Sequence, residues 1–227
     1  MKRFWVLLMI VLMVAVTGCQ NNHAIEFKND YESLNGKENK NGKIHRTITI
    51  DEKNKFEEIT VSALLEKIDK EETFYVYFGS KLCPWCRSVL EMADKVSREN
   101  GIEKVYYIDI WDDEGKEILR DKYILDDNNN LVVSIEKSKE YQKLLDTFDN
   151  VLANYTLTSK DGKTIDTGEK RIYAPNFIYV EKGKSIRMTE GISSLQKDSR
   201  EELTKEMLEE EEKLFNDFFP KYCSGLC

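Results

Sequence analysis

Lys81-Leu82-Cys83-Pro84-Trp85-Cys86-Arg87 is the stretch on which the rest of this chain turns. Before it runs Phe74-Tyr75-Val76-Tyr77-Phe78, a continuous apolar and aromatic segment. After it, Val89, Leu90, Met92, Ala93 and Val96 recur at helical spacing. That order predicts a buried strand, a short turn and a helix opening on Cys83. A C-x-x-C pair there brings two sulfurs within one turn of each other, so a disulfide closes with little strain. The partial positive charge of the helix N-terminus favours the Cys83 thiolate, the form that attacks a disulfide. Pro84 suits the first helical position, where its missing N–H costs nothing. Cys83 and Cys86 are therefore the expected catalytic pair, Cys83 attacking and Cys86 resolving. Neither a second C-x-x-C nor an H-x-x-H partner stands at zinc-finger spacing, and Arg87 occupies the place of the histidine of a haem-attachment motif. No metal and no cofactor are expected.

The chain has 227 residues, 41% hydrophobic and 33% charged, with a net charge of −8. That is enough apolar material for a core, and the acidic balance excludes a basic nucleic-acid footprint. Lys2 and Arg3 precede the apolar run Phe4 to Val16, which is short for a membrane span. Val16-Thr17-Gly18-Cys19 follows and resembles a bacterial lipobox. The resemblance implies a lipoprotein signal peptide at residues 1–18, lipidation of Cys19 and a cell-membrane protein facing the extracytoplasmic side, where disulfides persist. Cys223 and Cys227 are left to pair with each other. They form either a structural disulfide or a shuttle exchanging electrons with Cys83–Cys86; a zinc site of all four cysteines is the third arrangement.

Residues 19–43 read as a flexible tether, rich in Asn, Gly and charge, and His23 and His45 as solvated surface. Alternation over Ile44–Ile50 predicts a strand, and Val61, Leu64, Leu65 and Ile68 a helix with Thr60 or Ser62 as its cap. Val105–Ile110 predicts a strand buried on both faces. Tyr173-Ala174-Pro175 precedes a strand beginning at Asn176, a turn at Glu181–Lys184 and a return strand over Ser185–Met188. Residues 199–219 predict an acidic amphipathic helix, which Pro220 ends. Between about 112 and 172 lies extra chain. Residues 114–124 and 136–153 read as helical, 126–130 as a polar turn, and 155–172 as short β structure around Asp161-Gly162.

With the C-x-x-C opening the second helix, this order of elements resembles the thioredoxin-like thiol–disulfide oxidoreductases, over residues 44–219. The resemblance implies an α/β thioredoxin-like fold, a central mixed sheet flanked by helices, carrying an inserted, mainly helical segment. Residues 220–227 form a cysteine-containing tail. It also implies a cis Pro175 beside the dithiol, with Ala174, Pro175, Pro84 and Trp85 contacting substrate. The expected partners are protein or peptide thiols and disulfides, and a membrane or extracytoplasmic electron donor or acceptor; the lipid anchor supplies the membrane, and no nucleic acid is expected. One position departs from the family. Many thioredoxins bury an Asp six residues before the first cysteine, and this chain has Tyr77 there. The competing function is a non-catalytic binding or accessory module, for example for peptide or bacteriocin export, with a static disulfide.

Overall fold

Alternate residues of one strand, Phe74–Gly79 (β2), face two different cores, and the molecule is built outward from that division. The computed structural model describes residues 22–112 and 114–221. The expected signal peptide, Cys19, Cys223 and Cys227 lie outside the described residues. Among the described residues, no helix is long and apolar enough to cross a membrane.

The fold is α/β, with a five-stranded mixed sheet between helices. β1 (Phe56–Glu58) and β2 both pair in parallel with β3 (Val105–Asp109). On its other edge β2 pairs antiparallel with β8 (Asn176–Glu181), which pairs antiparallel with β9 (Lys184–Thr189). The order across the sheet is β1-β3-β2-β8-β9. The β8–β9 loop is Lys182-Gly183, with both residues at positive φ, as a two-residue turn matching strand twist requires.

On one face lie α2 (Val61–Asp69, capped by the Thr60 side chain) and α4 (Lys139–Phe148, capped by Ser138). They bury Leu64, Leu144 and Phe148 against Val76 and Phe78. On the other face lie α3 (Pro84–Glu99) and α5 (Lys205–Phe218). They bury Val89, Leu90 and Phe215 against Tyr77 and Phe177. The C-terminal helix begins at Lys205 and not at 199, because Thr204 caps it.

The N-terminal region departs most from the sequence reading. Residues 22–32 are helical (α1), and Ala24, Phe27 and Tyr31 are buried. Their spacing puts all three on one helical face. Phe27 stacks on Phe56 with ring centroids 4.6 Å apart, so α1 belongs to the core and is no tether. Ile44–Ile50 is likewise no sheet strand. Its backbone donors are taken by side chains: Ile48 N–H donates to Asn35, Thr49 N–H to Glu91, Ile50 N–H to Glu32 and Asp51 N–H to Asp94. With these N–H groups satisfied from α1, the turn after it and α3, this stretch gains nothing from a neighbouring strand. His45 is buried, contrary to the solvated reading.

The extra chain before Pro175 is mostly β. β4 (Lys122–Leu125) and β5 (Leu131–Ile135) form one hairpin, β6 (Ala153–Thr158) and β7 (Thr164–Arg171) another, with α4 between them. The expected helix over 114–124 is absent. Gly115 sits at φ 78° and the Asp112 side chain accepts from Glu114 N–H and Lys116 N–H, which bends the chain into a turn.

Candidate dithiol site

β2 ends at Gly79 and hands the chain to Ser80, Lys81 and Leu82, whose turn is closed by Cys83 N–H donating to the Ser80 carbonyl at 3.1 Å. Cys83 is the N-cap of α3. Its Sγ accepts from Cys86 N–H at 3.4 Å, and Pro84 opens the helix. β8 runs antiparallel to β2, so its N-terminal end lies at the same edge of the sheet. There the Ala174–Pro175 peptide is cis, and the Cys83 thiol donates to the Ala174 carbonyl at 3.5 Å. Asn176 holds this turn by accepting from Tyr173 N–H at 2.8 Å. The structure thus brings together Cys83, Cys86, Ala174 and Pro175; Trp85 packs, partly buried, against the same core.

The two sulfurs are unequal. No bond joins them in this structure. Cys83 is 4% exposed and Cys86 fully buried. The hydrogen bond from Cys86 lowers the Cys83 pKa most, backbone N–H groups at the helix start add to this, and burial opposes it. Burial pushes the Cys86 thiol well up, reinforced by the neighbouring Cys83. Cys83 is therefore the sulfur that ionises first, as its N-cap position requires.

Arg87 does not lend its charge to the sulfurs. Its fully buried guanidinium points into the N-terminal segment, donating to the backbone carbonyls of Tyr31 and Arg46 and to Asn35 Oδ1. It ties that segment to the dithiol helix. Lys81 pairs with Asp30 at 2.6 Å.

Three residues that sequence reasoning did not select line the buried side of the site. Tyr31 of α1, Tyr107 of β3 and Asp109 at the end of β3 join Tyr77 in one polar cluster. Tyr31 and Tyr77 share a hydrogen bond of 3.0 Å, and Tyr31 donates to the Tyr107 hydroxyl at 3.4 Å. Tyr77 packs in the same cluster as Cys86 and is coupled electrostatically to it, and Tyr107 is coupled in the same way to Asp109. Burial raises the pKa of all three phenols well above 10 and lifts the Asp109 carboxyl. A Cβ at position 79 would overlap the Tyr77 hydroxyl, which is why β2 ends in glycine. The alternation Tyr75, Tyr77 against Phe74, Val76, Phe78 carried a signal in the sequence: hydroxyls on one face only.

Among the described residues, no group of three His, Cys, Asp or Glu side chains is placed to hold a metal ion. No family model matches the chain, and no curated protein matches it.

Proposed function

We propose that this protein is a thioredoxin-like thiol–disulfide oxidoreductase, lipid-anchored at Cys19 and facing the extracytoplasmic side, that exchanges protein or peptide disulfides through Cys83 and Cys86. The observation that carries this reading is the pairing of an N-cap cysteine with a carbonyl beside a cis proline. Cys83 Sγ lies 3.5 Å from the Ala174 carbonyl, and the second cysteine is sealed behind it. The strand order β1-β3-β2-β8-β9, with the dithiol helix leaving the central strand, supports the fold assignment.

The chemistry follows from the unequal sulfurs. The Cys83 thiolate attacks a substrate disulfide; a Cys83–substrate S–S bond forms and the other substrate sulfur leaves as a thiolate. Cys86, as thiolate, then attacks Cys83, forming Cys83–Cys86 and releasing the second substrate thiolate. Run backwards, the same steps oxidise a substrate dithiol. Ala174 and Pro175, next to Cys83, would pair with the substrate backbone as an added strand. Only Gln20 and Asn21 separate Cys19 from the first described helical residue, so a lipid at Cys19 would hold the domain within about 10 Å of its anchor point.

The test is trapping in the native envelope. Cys86→Ala should accumulate mixed disulfides that appear as high-mass species on a non-reducing gel and collapse on reduction. Cys83→Ala should trap nothing. Identical empty lanes for both variants would overturn the exchange reading. The β4–β5 hairpin favours the competing reading, a docking module with a static bridge: Leu131, Val132, Val133 and Ile135 are all more than a third exposed. Titration against glutathione separates the two, since a potential below about −300 mV marks a structural bridge.

A further inference from the structure

Resolution of a mixed disulfide needs the Cys86 thiolate, yet Cys86 is fully buried and its thiol is the harder of the two to ionise. No carboxylate stands at position 77 to take its proton. We infer that the buried hydroxyls of Tyr77, Tyr31 and Tyr107 form a proton relay that connects the Cys86 thiol to the Asp109 carboxylate. This inference rests on the proposed exchange function and supplies its missing acid–base partner.

The middle of the relay is hydrogen-bonded: Tyr77 meets Tyr31 at 3.0 Å and Tyr31 meets Tyr107 at 3.4 Å. At its ends Tyr77 packs in the same cluster as Cys86 and is coupled electrostatically to it, and Tyr107 is coupled to Asp109, two residues on along β3. The five groups come from four elements: Cys86 from α3, Tyr77 from β2, Tyr31 from α1, and Tyr107 and Asp109 from β3. The register fixes two of them, since Tyr77 is paired with Tyr107 and Gly79 with Asp109 across β2 and β3. The relay's far end reaches the protein surface. Asp109 is half-buried. Tyr107 also lines a cavity of about 120 Å³ with His23, Glu26, Phe27, Asp30 and Glu58, large enough for several waters. Phenylalanine would fill the same three positions without burying a hydroxyl, and a satisfied buried hydroxyl contributes little net stability.

The transfer balances without a tyrosinate. The Cys86 S–H bond breaks and its proton moves to the Tyr77 oxygen. Tyr77 passes its own proton to Tyr31, Tyr31 to Tyr107, and Tyr107 to a carboxylate oxygen of Asp109. Cys86 is left as thiolate and Asp109 as carboxylic acid; each tyrosine has gained and lost one proton. The Cys86 electron pair then forms the Cys83–Cys86 bond while the Cys83–substrate bond breaks onto the substrate sulfur. Asp109 returns its proton to water. Tyr77 packs with Cys86 and would take its proton directly; Tyr31, Tyr107 and Asp109 would act through it.

Charged groups face this chain from each neighbouring element. Arg87 on α3 lies near Tyr31 and Tyr77, and Asp30 on α1, paired with Lys81, lies near Asp109. Glu58 on β1 is lifted by burial and by Asp109.

The experiment uses the full chain in detergent micelles. Reduced protein is mixed with oxidised glutathione, and the first step (mixed disulfide on Cys83) is separated from the second (release of glutathione by Cys86) by acid quench and mass analysis. Tyr31→Phe and Tyr107→Phe should each slow the second step at least tenfold, within the range general acid–base catalysis supplies, and leave the first unchanged. Asp109→Asn should slow the second step similarly and move its pH profile. Tyr141→Phe, on the opposite face, should leave both steps alone. If the unaltered protein resolves its mixed disulfide and both tyrosine variants do so at the same rate with the same pH profile, the relay is wrong and the exchange function stands. If the unaltered protein never resolves it, both readings fall. Should one tyrosine variant fail to fold, the other and Asp109→Asn decide.

Discussion

The two faces of β2 bury nearly the same shapes with opposite chemistry. Toward α2 and α4 the contacts are hydrocarbon (Val76, Phe78, Leu64, Leu144, Phe148 and Ile178) apart from the Tyr141 hydroxyl, which accepts from Ile172 N–H. Toward α3 and α5 the apolar packing encloses Tyr31, Tyr77 and Tyr107, and the buried charges Arg87, Asp94 and Glu211 lie on those helices. Buried polar groups cost stability unless partnered, so a fold keeps them where they serve something else. Here the tyrosine hydroxyls stand behind the dithiol, while Arg87 ties down the N-terminal segment and Asp94 pairs with Arg98. One face is packed mainly with hydrocarbon, and the other spends stability on buried ionisable groups and on the hydroxyls around Cys86.

The sharpest way to break this comparison is to empty the hydrocarbon face. Phe148 is fully buried and meets Phe78 edge-on at 6.0 Å. Phe148→Ala should lower the unfolding free energy by about 3–5 kcal/mol in a urea titration. A loss below about 1 kcal/mol would show that this face is not the main source of stability.

Next in size is Glu211. Both its carboxylate oxygens are buried without a hydrogen-bond partner among the described residues. Burial pushes its pKa from 4.5 up to about 8, with Arg46 opposing. The unfolded chain releases this proton near pH 4.5 and the folded one holds it to about 8, so the folded state binds more protons across that window. Stability should fall as pH rises from 4.5 to 8 and level off above. Glu211→Gln should remove that slope and stabilise the protein by roughly 1–3 kcal/mol at the alkaline end, with no gain at the acid end. A variant whose stability tracks the parent at every pH would place Glu211 in contact with water.

Tyr107→Phe should cost only about 1 kcal/mol, because it removes a satisfied hydroxyl and keeps the ring packing. Its Cys83 alkylation by iodoacetamide should match the parent. A loss as large as that of Phe148→Ala would mean that the tyrosine cluster is structural. The smallest effect is expected outside both cores. Val133→Ser, on the exposed β5, should change stability by less than about 0.5 kcal/mol.

Elements whose pattern is local were legible. The β2–α3 unit, the Thr60 cap, the Lys182-Gly183 turn and α4 follow from spacing and turn chemistry over a few residues. The errors came where the partner is distant. Ile44–Ile50 alternates like a strand, but side chains of Asn35, Glu32, Glu91 and Asp94 claim its N–H groups. Residues 22–32 look polar, and only the spacing of Ala24, Phe27 and Tyr31 marked a face that the sheet then covers. The insertion looks mainly helical because Tyr141, Leu144, Leu145 and Phe148 stand at helical spacing; Leu131-Val132-Val133-Ser134-Ile135 is its β signal.

By itself the sequence determined the C-x-x-C, the helix that opens on Cys83, the proline at 175 and the tyrosine in place of an acid at 77. These are choices of residue and short spacing, and they hold however the chain is folded. Only the tertiary structure decided that Arg87 turns away from the sulfurs and that α1 packs against the core. It also decided that Tyr31, Tyr77, Tyr107 and Asp109, drawn from three separate elements, meet behind Cys86. Hydrogen bonds reach about 3 Å, and which side chains come that close is settled by strand register and helix docking across the whole domain.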